Sequence, residues 1–229
     1  MNCIHINANT LPDSWFQLVY SILDNGREFI IDRGSYAGQK RLEFDYVTIN
    51  IAQPFLRDAG DGLPLIPIMP DGCNIPPPTT KEYLIDYIPY IMSGEIKANE
   101  LYTYGSRLGW TDFKFDQVKH VINNYKKYGH RNNQLIMQVA YPDDLILSDP
   151  PCLRHIDTRI QDNKLHFYIY FRSWDLWGGY PSNLAGLSIL QEYMASEIGV
   201  GCGEFVCSSK GLHLYDYVIE LAKLRCGKR

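Results

Sequence analysis

Apolar and polar positions along the chain follow two periods. In residues 11–26, Trp15, Leu18, Val19, Ile22 and Leu23 recur on one helical face, Asp13 or Ser14 can cap the start, and Gly26 ends the run. A turn-rich stretch covers residues 32–40, and Tyr46–Ile51 alternates as a strand does. Residues 57–80 predict a long connection, carrying Pro64, Pro67, Pro70, Pro76, Pro77 and Pro78. Connections of that length are usually functional or mobile. Thr79 or Thr80 can cap a helix running to Met92, and residues 115–128 predict another, stopped by Gly129. A strand is expected over residues 135–140. Residues 153–160 and 165–171 alternate on either side of Gln161-Asp162-Asn163, which predicts a hairpin. An apolar helix over residues 182–198, a short strand over 204–207 and a closing helix over 214–224 complete the pattern.

This order mixes strands and helices without a regular alternation, so the fold class is α+β, with a large mixed β-sheet packed with helices. The 229 residues correspond to about 1.5 average domains, and no composition shift divides them, so one domain over residues 1–229 is expected.

Composition removes several functions. The formal net charge is -4 and no basic tract occurs, which disfavours DNA or RNA as a partner, because phosphate neutralisation needs many cations. No apolar run approaches the roughly 18 residues of a membrane span, and Met1 to Thr10 lacks a basic-then-apolar leader, so a cytoplasmic protein is expected. The six cysteines include no CxxC pair and are small buried hydrophobes by default. The six histidines are scattered, so no metal is expected, and neither GxGxxG nor GxxxxGK[ST] is present. The outlying number is 17 tyrosines, whose rings bring both apolar surface and a hydroxyl.

Candidate chemistry concentrates in four segments: Asp149-Pro150-Pro151-Cys152, Phe171-Arg172-Ser173-Trp174-Asp175, Gly179-Tyr180-Pro181-Ser182-Asn183, and Gly211-Leu212-His213-Leu214-Tyr215. In this order and at these gaps they resemble the thymidylate synthase family, which has a nucleophilic Cys after Pro-Pro, then Arg-Ser-x-Asp, Gly-x-Pro-x-Asn and His-x-Tyr boxes. The resemblance runs from about Tyr102 to Leu224, and Asp32-Arg33-Gly34 is similar to the family's early phosphate-binding loop. The short chain is more similar to the compact archaeal and phage-type members than to the standard bacterial enzyme. The fold implied is a thymidylate synthase-like α+β fold.

The resemblance implies a role for each residue. Cys152 is the nucleophile that adds to C6 of a pyrimidine; a free thiol has a pKa of about 8.5, and the hairpin brings Arg172 beside it as an activating cation. Arg172, Ser173 and Arg33 bind the 5'-phosphate. Asn183 reads the uracil edge, where the family's deoxycytidylate hydroxymethylases carry Asp. Asp175 serves the base side and orders water, His213 and Tyr215 contact the sugar hydroxyl, and Tyr104 relays the C5 proton. The family's helix glutamate corresponds to Glu82, with Asp86 as the alternative four residues on.

Several positions depart from the family pattern. Leu153 follows the nucleophile in place of His, Phe171 replaces Gln, Gly211 replaces Asp, and Ser182 replaces a bulky Phe. The arginine pair that a second subunit lends to the phosphate has only Arg131 to match it, and a homodimer is the expected assembly. The chain ends Arg225-Cys226-Gly227-Lys228-Arg229 where the standard enzyme has an apolar tail, so the one-carbon donor is either 5,10-methylenetetrahydrofolate or a methylene-tetrahydromethanopterin. The leading expectation is reductive C5-methylation of dUMP to dTMP, with a pyrimidine nucleoside monophosphate as the substrate. The alternatives are a 5-hydroxymethylase of dUMP, dCMP or CMP on the same fold, and a nucleotide- or RNA-binding protein without catalysis.

Overall fold

The computed structural model describes residues 1–32, 36–70, 72–98, 100–109 and 115–228. In chain order the elements are β1 (Cys3–Ala8), α1 (Leu11–Asn25), β2 (Arg27–Ile30), β3 (Lys40–Glu43), β4 (Tyr46–Ile51), α2 (Lys81–Met92), α3 (Tyr104–Leu108), α4 (Gln117–Tyr128) and β5 (Ile136–Gln138). A 3-10 turn (Pro142–Ile146) leads to β6 (Leu153–Gln161), β7 (Lys164–Phe171), β8 (Trp174–Asp175), α5 (Gly179–Ile198), β9 (Gly201–Ser209), β10 (Leu212–Tyr215) and α6 (Asp216–Cys226).

Six strands form a mixed sheet in the order β1-β4-β9-β7-β6-β5, and four form a smaller sheet in the order β2-β3-β10-β8. This is the expected α+β architecture with a large mixed sheet. Along β7 every second side chain is buried, as an antiparallel-paired strand with one core face requires. The β6–β7 turn needs two residues, not three: Asp162 (φ 50°) and Asn163 (φ 56°) both adopt the left-handed region that a two-residue hairpin demands. One continuous apolar core joins Trp15, Leu18 and Ile22 of α1 to Ile49 of β4, Phe167 of β7 and Phe205 of β9.

Most predicted elements recur with shifted ends. The first helix is capped by Thr10, whose hydroxyl accepts from the Asp13 amide at 3.2 Å; Asp13 itself reaches back to the Asn9 amide at 2.7 Å. Ser14, the other expected cap, lies inside the helix and donates to the Leu11 carbonyl. The strand expected over 204–207 extends to nine residues, because both of its edges are hydrogen-bonded, to β4 and to β7. The helix expected over 214–224 begins only at Asp216: residues 212–215 pair antiparallel with β3 and parallel with β8, and this tertiary pairing overrides the helical period.

The long connection at residues 57–80 contains no helix or strand among its described residues, only an isolated bridge between Arg57 and Pro64. It ends at Thr80, whose hydroxyl accepts from the Tyr83 amide and starts α2. Helix α3 opens on a capping box: Thr103 Oγ1 accepts from the Ser106 amide at 3.0 Å, and Ser106 Oγ accepts from the Thr103 amide at 2.9 Å. Gly105 lets this short helix lie against the end of α2, since a Cβ there would sit 1.8 Å from the Ser93 carbonyl oxygen and 2.7 Å from that of Ile91. Those obstacles are backbone and cannot rotate away. Gly105→Ala is therefore expected to cost about 2 kcal/mol or more in urea unfolding; an unchanged midpoint would contradict this close approach.

Candidate functional site

Cys152 ends the Pro-Pro turn one residue before β6, and the Arg172 amide, just beyond β7, donates to the Cys152 carbonyl at 2.9 Å. The hairpin thus brings the two residues side by side, as expected. The Arg172 guanidinium folds back over the turn: Nε donates to the Pro151 carbonyl at 3.2 Å and Nη2 donates to that of Pro150, with the Asp149 carboxylate at 3.5 Å. The thiol differs from the activated group expected of this pair. Burial pushes its pKa up, and the nearby Arg172 only partly opposes that rise. In the free protein the thiol form is favoured.

Beside Cys152 stands a wall of phenols. Tyr104, at the start of α3, is buried and accepts at its hydroxyl from the Leu153 amide at 3.4 Å, adjacent to Cys152. Tyr90 packs edge-on to Tyr104 (5.1 Å between centroids), stacks on Tyr87 (5.5 Å), and Tyr87 stacks on Tyr83 (6.1 Å). Burial pushes the Tyr87, Tyr90 and Tyr104 hydroxyls well up, and that of Tyr102 to about 12. Each is a neutral donor at physiological pH. A Cys152 thiolate would raise all four further, which reflects how near it lies.

Asn183 sits in the first turns of α5, between this wall and β8. Its Oδ1 accepts from Trp174 Nε1 at 2.9 Å, and its Nδ2 donates to the Tyr87 hydroxyl. Asn183, Tyr87, Tyr90 and Tyr104 line a cavity of about 760 Å³ together with the carboxylates Asp86 and Glu100. Its size falls within the range of small-molecule sites.

Glu82 requires a correction. It is exposed in the first turn of α2, where its own amide and the Thr80 hydroxyl hold its carboxylate below the usual range, and it does not line the cavity. Free N–H groups at a helix start attract a carboxylate, and four residues of rise, about 6 Å, separate it from Asp86, which does line the cavity.

Asp175 has a different surrounding from the one expected. Its Oδ1 accepts from the Trp177 amide (3.1 Å), and its Oδ2 accepts from those of Gly178 (3.2 Å) and Gly179 (2.9 Å). It thereby fastens the turn into α5, whose N-cap is Gly178 and whose first residue is Gly179. His213 pairs in register with Asp175 across β8 and β10 and is 2% exposed. Its Nδ1 lies 2.9 Å from the Gly211 carbonyl, which can only accept, so Nδ1 carries the proton and Nε2 presents a lone pair. Burial also lowers the ring's pKa and keeps it neutral. Nε2 is buried with no partner among the described residues, and Tyr215 packs edge-on at 4.6 Å.

Arg172 and Ser173 also face a second cavity, of about 540 Å³, shared with Arg27, Arg41 and Lys210. Arg27 pairs with Asp45 (2.8 Å) and Arg41 with Glu43 (2.6 Å), so Arg172 and Lys210 supply its net positive charge, which suits an anion. Arg33 lies outside the described residues, and Arg131 is exposed ahead of β5. No group of three or more His, Cys, Asp or Glu among the described residues could hold a metal, and no described helix is long and apolar enough to cross a membrane. Tyr87 and Trp174 are the residues that sequence reasoning missed. The spacing Tyr83-Tyr87-Tyr90, three and four apart on a helix, was the available sign.

Comparison with known proteins agrees with the four boxes. A family model described as thymidylate synthase matches residues 92–229. The chain is 31% identical over 214 residues to a protein of Methanosarcina barkeri named "Putative thymidylate synthase", covering 93% of this chain and 89% of that one. It is 29% identical over 217 residues to a protein of the same name from Methanothermobacter thermautotrophicus, covering 92% and 93%. It is 30% identical over 142 residues to the thymidylate synthase of Listeria innocua, covering 58% and 45%.

The opposition of burial and Arg172 at the thiol can be measured. Only thiolate alkylates, so removing the cation in Arg172→Ala should raise the Cys152 pKa, and a one-unit rise slows alkylation at pH 8 about tenfold. Iodoacetamide rates at Cys152, followed by peptide mass spectrometry across pH, check this. An unshifted pH profile would show that Arg172 does not act on the thiol.

Proposed function

The chain belongs to the thymidylate synthase family, and on that premise we propose that it is itself a thymidylate synthase, converting dUMP to dTMP. The observation that carries this reading is a chain of neighbours: Arg172, which lines the basic cavity, bonds the Cys152 carbonyl, and Cys152 lies near Tyr87, whose hydroxyl accepts from Asn183 at the phenol-lined cavity. The 5'-phosphate lies with Arg172 and Ser173, the sugar hydroxyl donates to His213 Nε2, and the base edge meets Asn183 beside the Cys152 sulfur. Tyr215 supports the imidazole from its edge. Arg33 joins the phosphate clamp, and Asp175 acts by fastening the turn into α5 and so holding Asn183 at the base.

A methylene-carrying reduced pterin supplies the one-carbon unit and the hydride that makes it a methyl group. The phenol-lined cavity suits such a group: Tyr83 and Tyr90, at the two ends of the ring stack, offer apolar surface to a flat heterocycle, and Asp86 and Glu100 match its N–H edge. The chain's own residues do the rest. The Cys152 thiolate bonds to C6, which makes C5 nucleophilic toward the one-carbon unit. Tyr104 relays the C5 proton to water as a neutral phenol, and the pair left at C5 would release the one-carbon unit from the donor's nitrogen; Cys152 would leave C6 only afterwards, when hydride has reached the exocyclic carbon and the pair displaced from there restores the C5=C6 bond. Because burial holds the thiol up, kcat/KM rises with pH past neutrality, toward the thiol's own pKa. We assign the enzyme a homodimer and a cytoplasmic location on the strength of the family alone.

Purified protein given dUMP with methylenetetrahydrofolate, and separately with methylene-tetrahydromethanopterin, should yield dTMP with one donor, and Cys152→Ala should yield none. Mass spectrometry of the nucleotide distinguishes the outcomes. A hydroxymethyl product would replace this reading with that of a hydroxymethylase, and turnover by Cys152→Ala would remove the nucleophile.

A further inference from the structure

Tyr87 lies where α2 meets α5, with its ring held between those of Tyr83 and Tyr90. Its hydroxyl accepts from Asn183 Nδ2, and among the described residues nothing accepts the hydroxyl's own proton. At the other end of the amide, Trp174 stacks on Phe171 (3.9 Å between centroids, 7° between planes) and packs against Tyr180, both buried. An indole N–H can only donate. Asn183 Oδ1 must therefore face Trp174 and Nδ2 must face Tyr87, which removes the usual ambiguity between the two ends of an amide. The chain of groups has one polarity: Trp174 N–H to Asn183 Oδ1, Asn183 Nδ2–H to Tyr87 Oη, with the Tyr87 O–H still to be used. That O–H and the second Nδ2–H belong to groups on one wall of the 760 Å³ cavity.

We infer that Tyr87 is a catalytic residue whose hydroxyl donates a hydrogen bond to the 4-oxo oxygen of the pyrimidine, and that Trp174 is the positioning residue that keeps this edge donating. The inference rests on the reading of the site as one for a pyrimidine nucleotide attacked at C6 by Cys152. When the sulfur–C6 bond forms, the C5=C6 π pair becomes a C4=C5 π bond and the C4=O4 π pair becomes a lone pair on O4. The negative charge develops on O4, and two fixed donors meet it there; no proton has to leave the phenol. This is stabilisation by donors aimed at the position where charge appears. A carboxylate on α2 is not needed for it, and neither Glu82 nor Asp86 hydrogen-bonds Asn183. The same polarity selects the base. Cytosine carries an amino group at position 4 and would set donor against donor, and Trp174 prevents the amide from turning over to offer Oδ1 instead.

Phe at position 87 preserves the ring stack and removes only the hydroxyl. Tyr87→Phe should bind dUMP within about threefold of wild type by calorimetry while releasing tritium from C5-labelled dUMP about 10²–10³-fold more slowly, the loss typical of one such donor. Trp174→Phe should narrow the preference for dUMP over dCMP in binding about tenfold. In 15N-labelled wild-type protein the Trp174 indole N–H should stay protected from solvent exchange in the dUMP complex, a readout that needs no variant to fold. Tritium release by Tyr87→Phe at the wild-type rate, beside a wild type that turns over dUMP, overturns the inference alone. A wild type that neither binds dUMP nor releases tritium overturns the reading of the site, and this inference with it. An indole N–H exchanging as fast as an exposed one removes Trp174 from the arrangement.

Discussion

The carboxylate of Asp175 accepting the amides of Trp177, Gly178 and Gly179 is the constraint on which the site depends. Between the end of β7 and the start of α5 the chain must reverse direction within seven residues, 172–178. A carboxylate there satisfies amides that a helix start leaves without partners, and its charge complements the helix dipole. With the reversal fixed, Arg172 faces the Pro-Pro turn, Trp174 faces inward to Asn183, and the two-residue strand β8 brings His213 of β10 into register with Asp175. Three of the four sequence boxes are thus positioned by one side chain, and the hairpin adds the fourth.

Burial sets the chemistry that this geometry can perform. The same desolvation that keeps the phenols protonated, and so able to donate, disfavours the Cys152 thiolate. Arg172 opposes the latter effect while two proline carbonyls hold its guanidinium in place, acceptors left free by the absence of any proline N–H to pair locally. The phenol-lined cavity thus combines neutral hydroxyls with the carboxylates Asp86, Glu95 and Glu100, whereas net positive charge belongs to the cavity of Arg172 and Lys210.

The tyrosine excess has a structural account in part. Tyr83, Tyr87, Tyr90 and Tyr104 form one continuous ring cluster at the phenol-lined cavity, and Tyr36, Tyr215 and Tyr217 form another next to His213. Stacked rings exclude water over large apolar faces while leaving hydroxyls at the edges for polar work. The two clusters lie beside the two elements, α2 and β10, that carry the groups facing base and sugar in the proposed reading.

Local pattern was enough for the elements with strong periodicity: α1, α2, α4, the hairpin of β6 and β7, and α5 are legible in the chain because each buries one regular face or stripe. The four segments that carry Cys152, Arg172, Ser173, Asn183, His213 and Tyr215 were legible as a family pattern, since order and spacing carry it. Strands β2, β3, β8 and β10 were not, because a two- to four-residue strand has too little period of its own and exists only through its partners. Glu82 misled for a related reason: its spacing from Asp86 specifies a helix face, but the position along the axis at which a cavity opens is set by what packs against the helix. Sequence by itself determined the fold class and the family, which depend on local period and on the order and spacing of residue types. Only the tertiary structure decided that the thiol is held up by burial, that Asp175 fastens the turn into α5, and that a phenol and an indole orient Asn183, because desolvation and hydrogen-bond polarity arise from how the folded chain packs.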